Sequence, residues 1–390
     1  MAYRQTVEGF AAKVGVAART VAKWEANPDI IPTPALQEAL DVTLERAPGQ
    51  VRARLSLLLA DSPAAPPGVA GDPAGGVGKA AGAMQAFRMA DLRVGGGHLY
   101  LAVMSYLRDE VAPLLVCSPG DSTIFTAAAA ITEMAGWMAH DAGRDEVALG
   151  HFRRSLDLVR AGDDRPLQAH VLASMSHLQD HLRRPGDAIR LAQAGRDALA
   201  GGPREPAIEA RLFAMEARGR AALRDGDGCV RLLNSAEETL GAPQDQEPSS
   251  WVSGFDEAAL ANETARCMHY LGDLAEAQRQ AARIIELRPA SRPRSRAFGL
   301  LMLAGALAGQ GKHEEACAAA GEVLDAAPAL GSHIVAQQLH VLTCQLEPKR
   351  SAPPVGEFLG RLEADIEQRM WLFRQLGNDG RRPVAAEIPA

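Results

Sequence analysis

The chain has 390 residues, with 41 Lys and Arg against 48 Asp and Glu and a formal net charge of -7, which excludes a broadly basic protein that coats nucleic acid. Hydrophobic residues make up 47% and aromatics only 4%, so the apolar material is mostly Ala, Leu and Val, which suits closely packed helices, and period-two alternation is missing. The five cysteines, Cys117, Cys229, Cys267, Cys317 and Cys344, are scattered and form no CxxC pair, which speaks against disulfides or a thiolate zinc site and for a reducing, cytoplasmic setting.

Residues 1–60 are set apart by charge, holding seven Lys/Arg against six Asp/Glu. They read as four short helices forming a small head. Met1–Gln5 is polar, and no apolar run in the chain is long enough to span a membrane, so neither a signal peptide nor a membrane partner is expected. Thr6 is placed to cap a helix whose apolar face is Val7, Phe10, Ala11 and Val14. Gly15 supplies a tight turn and Val16 fills the angle. A second helix follows from about Ala17 to Ala26, with Val21 and Trp24 inward and Ala18, Arg19, Thr20 and Lys23 outward.

Such a unit places its second helix in the DNA major groove. Arg19 suits guanine O6 and N7, Thr20 a thymine methyl, and Lys23 and Asn27 phosphates. The segment GVAARTVAKWE resembles the GVSxxTVSxWE signature of xenobiotic-response-element, or lambda-repressor-like, regulators. The resemblance covers about residues 5–59 and implies a domain that binds a double-stranded operator as a homodimer. It puts Ala18, Arg19, Thr20, Lys23 and Asn27 at the DNA. Ala17 replaces the family's usual serine, and the family's first helix has no counterpart before Thr6. Either translation starts upstream or the domain is abbreviated.

Residues 61–83, rich in Pro, Gly and Ala, read as a flexible linker. From Met84 to about Leu346 the pattern is helical, with short breaks, the two longest at Pro113–Ser122 and Gly241–Phe255. Gly95-Gly96-Gly97 precedes a helix expected from His98 to Val111. Without a preceding strand or a following Lys-Ser/Thr it reads as a tight turn rather than a phosphate loop. A C-terminal amphipathic helix is expected from about Val355, capping the array, with a disordered tail at 377–390.

Small residues recur in register. Ala148, Ala188, Cys229, Ala277 and Ala316 are spaced 40, 41, 48 and 39 apart, and Gly136, Ser176, Ala217, Ala265 and Ala304 each lie twelve residues earlier. A small residue in each helix at this separation lets the two helices of a hairpin touch. The best copies, AALANETARCMHYLGDLAEAQRQAARIIELRP and RAFGLLMLAGALAGQGKHEEACAAAGEVLDAAP, resemble the tetratricopeptide repeat, although the period exceeds that family's 34 or so. The whole layout is similar to large actinobacterial regulators with a helix-turn-helix head and a tetratricopeptide-like body. The expected fold class is therefore all-α: a small helix-turn-helix domain plus a tetratricopeptide-like α-solenoid over residues 84–376.

The repeat resemblance implies which positions line the concave side. They are Glu133, Trp137 and His140; His170, His177, Asp180 and His181; Arg211 and Arg218; Asn262, Arg266, His269 and Tyr270; and Phe298, Leu301 and Gly305. Five of the ten histidines fall on this surface, where a merely solvated face would favour Glu and Lys. The expectation is a polar groove for a peptide or small-molecule effector, with the arginines holding a carboxylate. His177 and His181, spaced i,i+4, lack the Glu of HExxH and a visible third ligand, so no metal or other cofactor is expected. No nucleophile elbow, Walker loop or catalytic carboxylate pair appears, and an enzyme is not expected. The sequence-based expectation is a DNA-binding transcriptional regulator whose body binds an effector and dimerises, using the last helix with Ile366, Met370 and Phe373. The alternative is a protein-interaction scaffold with a vestigial head.

Overall fold

The computed structural model describes residues 7–26, 43, 73–117, 120–202, 204–243, 249–289, 292–326 and 332–376. Every regular element among them is helical, and the fold is an all-α solenoid of stacked helical hairpins. The chain divides into two units, Met1–Ala70 and Gly71–Ala390.

In the first unit, α1 (Val7–Val14) and α2 (Ala18–Ala26) form the expected bihelical pair. Gly15 turns the chain at φ +79°, a left-handed conformation that glycine adopts without strain. The N–H groups of Gly15 and Val16 both donate to the Ala11 carbonyl and close α1. Ala11, Val14 and Val21 are buried between the helices. Thr43 Oγ1 donates to the Lys13 carbonyl. The Thr6 cap, the Trp24 side chain, Asn27 and the remaining helices expected before residue 60 lie outside the described residues.

The second unit opens on α3 (Pro73–Val94). This corrects the linker expectation for residues 73–83, while 61–72 lie outside the described residues. Tertiary burial overrides the weak propensity of Gly and Pro here: Ala80 and Met84 are 1% exposed and join the core beneath the first hairpin. Gly95 (φ +85°) then reverses the chain. A 3₁₀ turn (Gly96–His98), α4 (Tyr100–Tyr106), a π turn (Leu107–Val111) and α5 (Ala112–Cys117) follow. The break expected at Pro113–Ser122 is thus helical as far as Cys117: the chain is helical without interruption from Tyr100, and Pro113, which has no N–H to donate, directly follows the π turn.

Five hairpins follow: α6 (Ser122–Asp141) with α7 (Asp145–Gly162), α8 (Arg165–His181) with α9 (Pro185–Leu199), α10 (Pro206–Ala222) with α11 (Gly226–Leu240), α12 (Glu257–Leu271) with α13 (Leu274–Leu287), and α14 (Pro293–Gly309) with α15 (His313–Ala326). The last pair is α16 (His333–Leu346) and α17 (Pro353–Leu376). Starts are set by local chemistry. Asp121, Asp164, Asp225, Asp256, Asp273 and Ser332 each accept a first-turn N–H, and Pro occupies the first turn of α8, α9, α10 and α14.

The register of small residues is the packing seam. Ala148, Ala188, Cys229, Ala277 and Ala316 are all buried, as are Ser176, Ala217, Ala265 and Ala304. Ser176 Oγ donates to the Ala188 carbonyl at 2.7 Å, so one pair of seam positions is joined directly. A Cβ at Gly136 would lie 2.5 Å from the Phe152 ring. The tail 377–390 and the side chains of Ile366, Met370 and Phe373 lie outside the described residues.

Candidate functional site

The inner face of the repeats was expected to be an open polar groove. Glu133, His140, His170, Asp180, Arg211 and Arg218 are instead buried, and Trp137, His177, His181, Asn262, Arg266, His269 and Tyr270 are half-buried. Two structural causes account for this. The unit closes on itself: Arg294 of α14 reaches back to pair with Asp141 at the end of α6 at 3.0 Å and with Asp91 of α3 at 3.4 Å. The loop between α11 and α12 also folds inward, held by Arg88 Nη1 and Nη2 donating to the Ser250 and Trp251 carbonyls at 2.7 Å.

Asp141 is the hub of the closure. Its carboxylate accepts the Gly96 N–H at 2.8 Å and the Ser332 hydroxyl at 2.6 Å, besides pairing with Arg294. The glycine turn therefore does receive an anion, but an internal one. A Cβ at Gly96 would fall 2.9 Å from Asp91 Oδ1 and 3.3 Å from the Met138 backbone, so the close approach needs glycine.

Two polar clusters lie within. In the first, Ser174 Oγ donates to Glu133 Oε1 at 2.6 Å, and Trp137 Nε1 donates to the same oxygen at 2.6 Å. Arg211 donates to Ser174 Oγ at 3.1 Å and to His170 Nδ1 at 2.8 Å, while His170 Nε2 lies 3.2 Å from Ser253 Oγ. Burial raises the Glu133 carboxyl, against the opposing pull of Ser174, Arg211 and Trp137. Burial and then Arg211 and Arg88 hold His170 well below the usual histidine range.

In the second cluster, Arg218 donates from Nε to Asp180 Oδ2 at 2.6 Å and from Nη1 to His177 Nδ1 at 3.0 Å and Glu263 Oε2 at 3.3 Å. Tyr270 OH donates to Asp180 at 3.2 Å. Burial opposes the Arg218 charge, yet Asp180 and Glu263 hold its pKa above the ordinary value. His177 is held well below its usual range by burial and then Arg218. These side chains are partners of one another first.

An opening remains beside the second cluster. A cavity of about 400 Å³ is lined by His140, His177, His181, Arg218, Arg266, His269 and Tyr270 together with Gln337 and Gln338 of α16. Among the described residues Arg266 makes no hydrogen bond or ion pair, and its Nε is buried without a partner. Burial and the neighbouring Arg218 lower its pKa. A smaller cavity of about 210 Å³ sits between Arg88, Glu133, Trp137, Arg211 and Arg294. Of the remaining inner-face positions, Leu301 and Gly305 line the larger cavity, and Phe298 lies under the Arg294 guanidinium. Asn262 donates to Glu263 and leaves Oδ1 buried without a partner.

No known protein family matches the chain, and no curated protein matches its sequence. Among solved structures the chain is similar to BtubC (BKLC) from P. vanneervenii, at 15% identity and a TM-score of 0.41, over 60% of this chain and 91% of that one. A likeness at that level carries no functional argument.

In the first unit, Arg19 and Lys23 are exposed on one face of α2, and Ala18 and Thr20 are half-buried beside them. In the second, sequence reasoning missed Arg88, Asp141, Asp145, Glu263 and Arg294. Charge balance was the available signal. Three inward arginines, Arg211, Arg218 and Arg266, need more carboxylates than Glu133 and Asp180 supply, and Glu263 and Asp141 sit on the same helices. No helix among the described residues is long and apolar enough to cross a membrane.

Proposed function

We propose that the chain is a DNA-binding transcriptional regulator, in which the head reads an operator and the helical-repeat unit binds a small anionic effector and holds two copies together. The observation that carries this reading is the bihelical unit around Gly15, with Arg19 and Lys23 on the exposed face of its second helix. One head with so few cations binds weakly, so a dimer on a two-fold operator is the working form.

For the effector, the cavity at Arg266 favours a small molecule over an extended peptide. Its volume of about 400 Å³ suits a metabolite-sized ligand. Among the described residues much of the rest of the inner face is taken up by internal pairs, which leaves little for a peptide backbone to bond. Arg266, which has no hydrogen-bonded carboxylate, suits a carboxylate or phosphate.

The test is a gel shift on DNA upstream of the chain's own gene, using the full chain. The wild type is expected to prefer that DNA over a scrambled duplex, and Arg19→Ala with Lys23→Ala to abolish the preference while far-UV circular dichroism stays unchanged. The salt dependence of log K should flatten by roughly one unit for each phosphate contact removed. Equal binding by wild type and double variant would instead favour the scaffold reading, in which the repeat unit docks a partner protein.

A further inference from the structure

The turn after the first helix of the first hairpin brings together three side chains, two of which, His140 and His181, also line the larger cavity. Gly143 (φ +75°) turns the chain between α6 and α7. The Arg144 N–H donates to the Ala139 carbonyl and the Gly143 N–H to that of His140, which folds Asp145 back over His140. Asp145 Oδ1 lies 2.6 Å from His140 Nδ1, and Oδ2 lies 3.4 Å from Nε2 of His181, the last residue of α8. The three donor atoms all lie within 4.8 Å of one another.

We propose that His140, Asp145 and His181 bind a divalent transition metal of the zinc class. Two imidazole nitrogens and one carboxylate are the donor set such ions prefer, and sequence reasoning missed it because Asp145 lies on neither histidine's helix. A tetrahedral zinc ion with bonds of about 2.0–2.1 Å holds its donors about 3.3 Å apart. His140 Nδ1 approaches Oδ1 at 2.6 Å and His181 Nε2 approaches Oδ2 at 3.4 Å, so the two imidazoles flank one carboxylate, and a bound ion takes the place of the His140–Asp145 hydrogen bond.

The ligands come from three helices packed in the core, and that scaffold fixes their spacing. His140 is 4% exposed, whereas His181 and Asp145 are about a quarter exposed, which leaves an entry path. His140 and His181 both line the cavity of about 400 Å³. The fourth coordination position therefore faces that space and takes water or an anion, as in sites with three protein ligands.

The experiment uses the full chain with Cys117→Ser and Cys344→Ser, which removes the two exposed thiols as competing ligands. The protein is stripped with chelator, dialysed and titrated calorimetrically with zinc chloride. One ion per chain with a dissociation constant below about 1 μM is expected. His181→Ala should weaken it by about 100-fold and Asp145→Asn by at least about 10-fold, with helical circular dichroism unchanged. Because His181 is part-exposed, its removal leaves the core intact even if His140→Ala fails to fold. Cobalt should give visible d–d bands without a thiolate charge-transfer band. Absence of stoichiometric zinc, unchanged affinity in His181→Ala, or a persisting thiolate band would each overturn the assignment.

Discussion

Acidification probes the inner polar core directly. His170 and His177 each accept a guanidinium N–H at Nδ1, from Arg211 at 2.8 Å and from Arg218 at 3.0 Å. A proton on either nitrogen removes that bond and sets two cations face to face. Burial, and then those arginines, hold both imidazoles well below their ordinary range. In the unfolded chain both titrate near pH ~6.5. The folded state thus binds fewer protons than the unfolded one, so the stabilisation is complete above about pH 6.5 and falls as pH drops below it. At pH ~5.5 the linkage is at most RT ln 11, about 1.4 kcal/mol per histidine and about 3 kcal/mol for the pair. Other groups facing the pair act too. Burial lowers His140, against the pull of Asp145, and adds to the loss. Glu133, 3.6 Å from His170 Nε2 and raised by burial, works in the opposite direction. Urea unfolding followed by far-UV circular dichroism should show stability falling between pH ~7.5 and ~5.5, and His177→Gln should remove up to about 1.4 kcal/mol of that drop. A midpoint that does not move over this interval, or the same pH dependence in His177→Gln, refutes the reasoning.

Two further perturbations test the packing and the closure. Gly136→Ala drives a methyl into the Phe152 ring at 2.5 Å and should cost about 1–3 kcal/mol, read as a lowered thermal midpoint. Gly305→Ala, with nothing within 4 Å, is the control and should be neutral or slightly stabilising; equal effects at both sites would refute the seam. Asp141→Ala strands the Gly96 N–H, the Ser332 hydroxyl and Arg294 in the interior. It should cost about 3–5 kcal/mol in chemical denaturation, and a loss under about 1 kcal/mol would mean that the closure contributes little.

The hairpins were legible because steric need leaves a visible trace. Only a small residue fits where Ala188 meets Ser176 or where Phe152 covers Gly136, so the spacing survives in the sequence. Inner-face positions were legible for the same reason, since they follow from the repeat register. What covers them was not. Arg294 reaches Asp141 and Ser332 reaches the same carboxylate from 191 residues away, and no local pattern encodes such pairings. The helix from Pro73 was hidden by composition: Gly and Pro argue for a linker, and only the burial of Ala80 and Met84 against the first hairpin holds it. Asp145 escaped because the histidines were judged along one helix, whereas the carboxylate between His140 and His181 comes from the next.

Charge pairing across the interior indicates where a ligand has room to act. Arg294 pairs with Asp91 and Asp141, although its Nε too is buried without a partner, and Arg218 pairs with Asp180 and Glu263. Arg211 is bound to His170 and Ser174 and faces Glu133, whose raised pKa shows how strongly burial works against its charge. Arg266 shares Asp180 and Glu263 with Arg218 only at a distance, and keeps Nε without an acceptor. An anion entering the cavity would supply that acceptor and also meet His269, whose proton affinity is lowered by burial and then by Arg266. Arg266 belongs to α12 of the fourth hairpin and His140 and His177 to the first two, while Gln338, which leaves a buried carbonyl unpartnered, lines the cavity from α16. One small ligand there would add a bond across the closure beside those that Asp141 already makes to Arg294 and Ser332. On the proposed reading, that is how occupancy of the repeat unit selects between its conformations: it adds a bond across the closing seam.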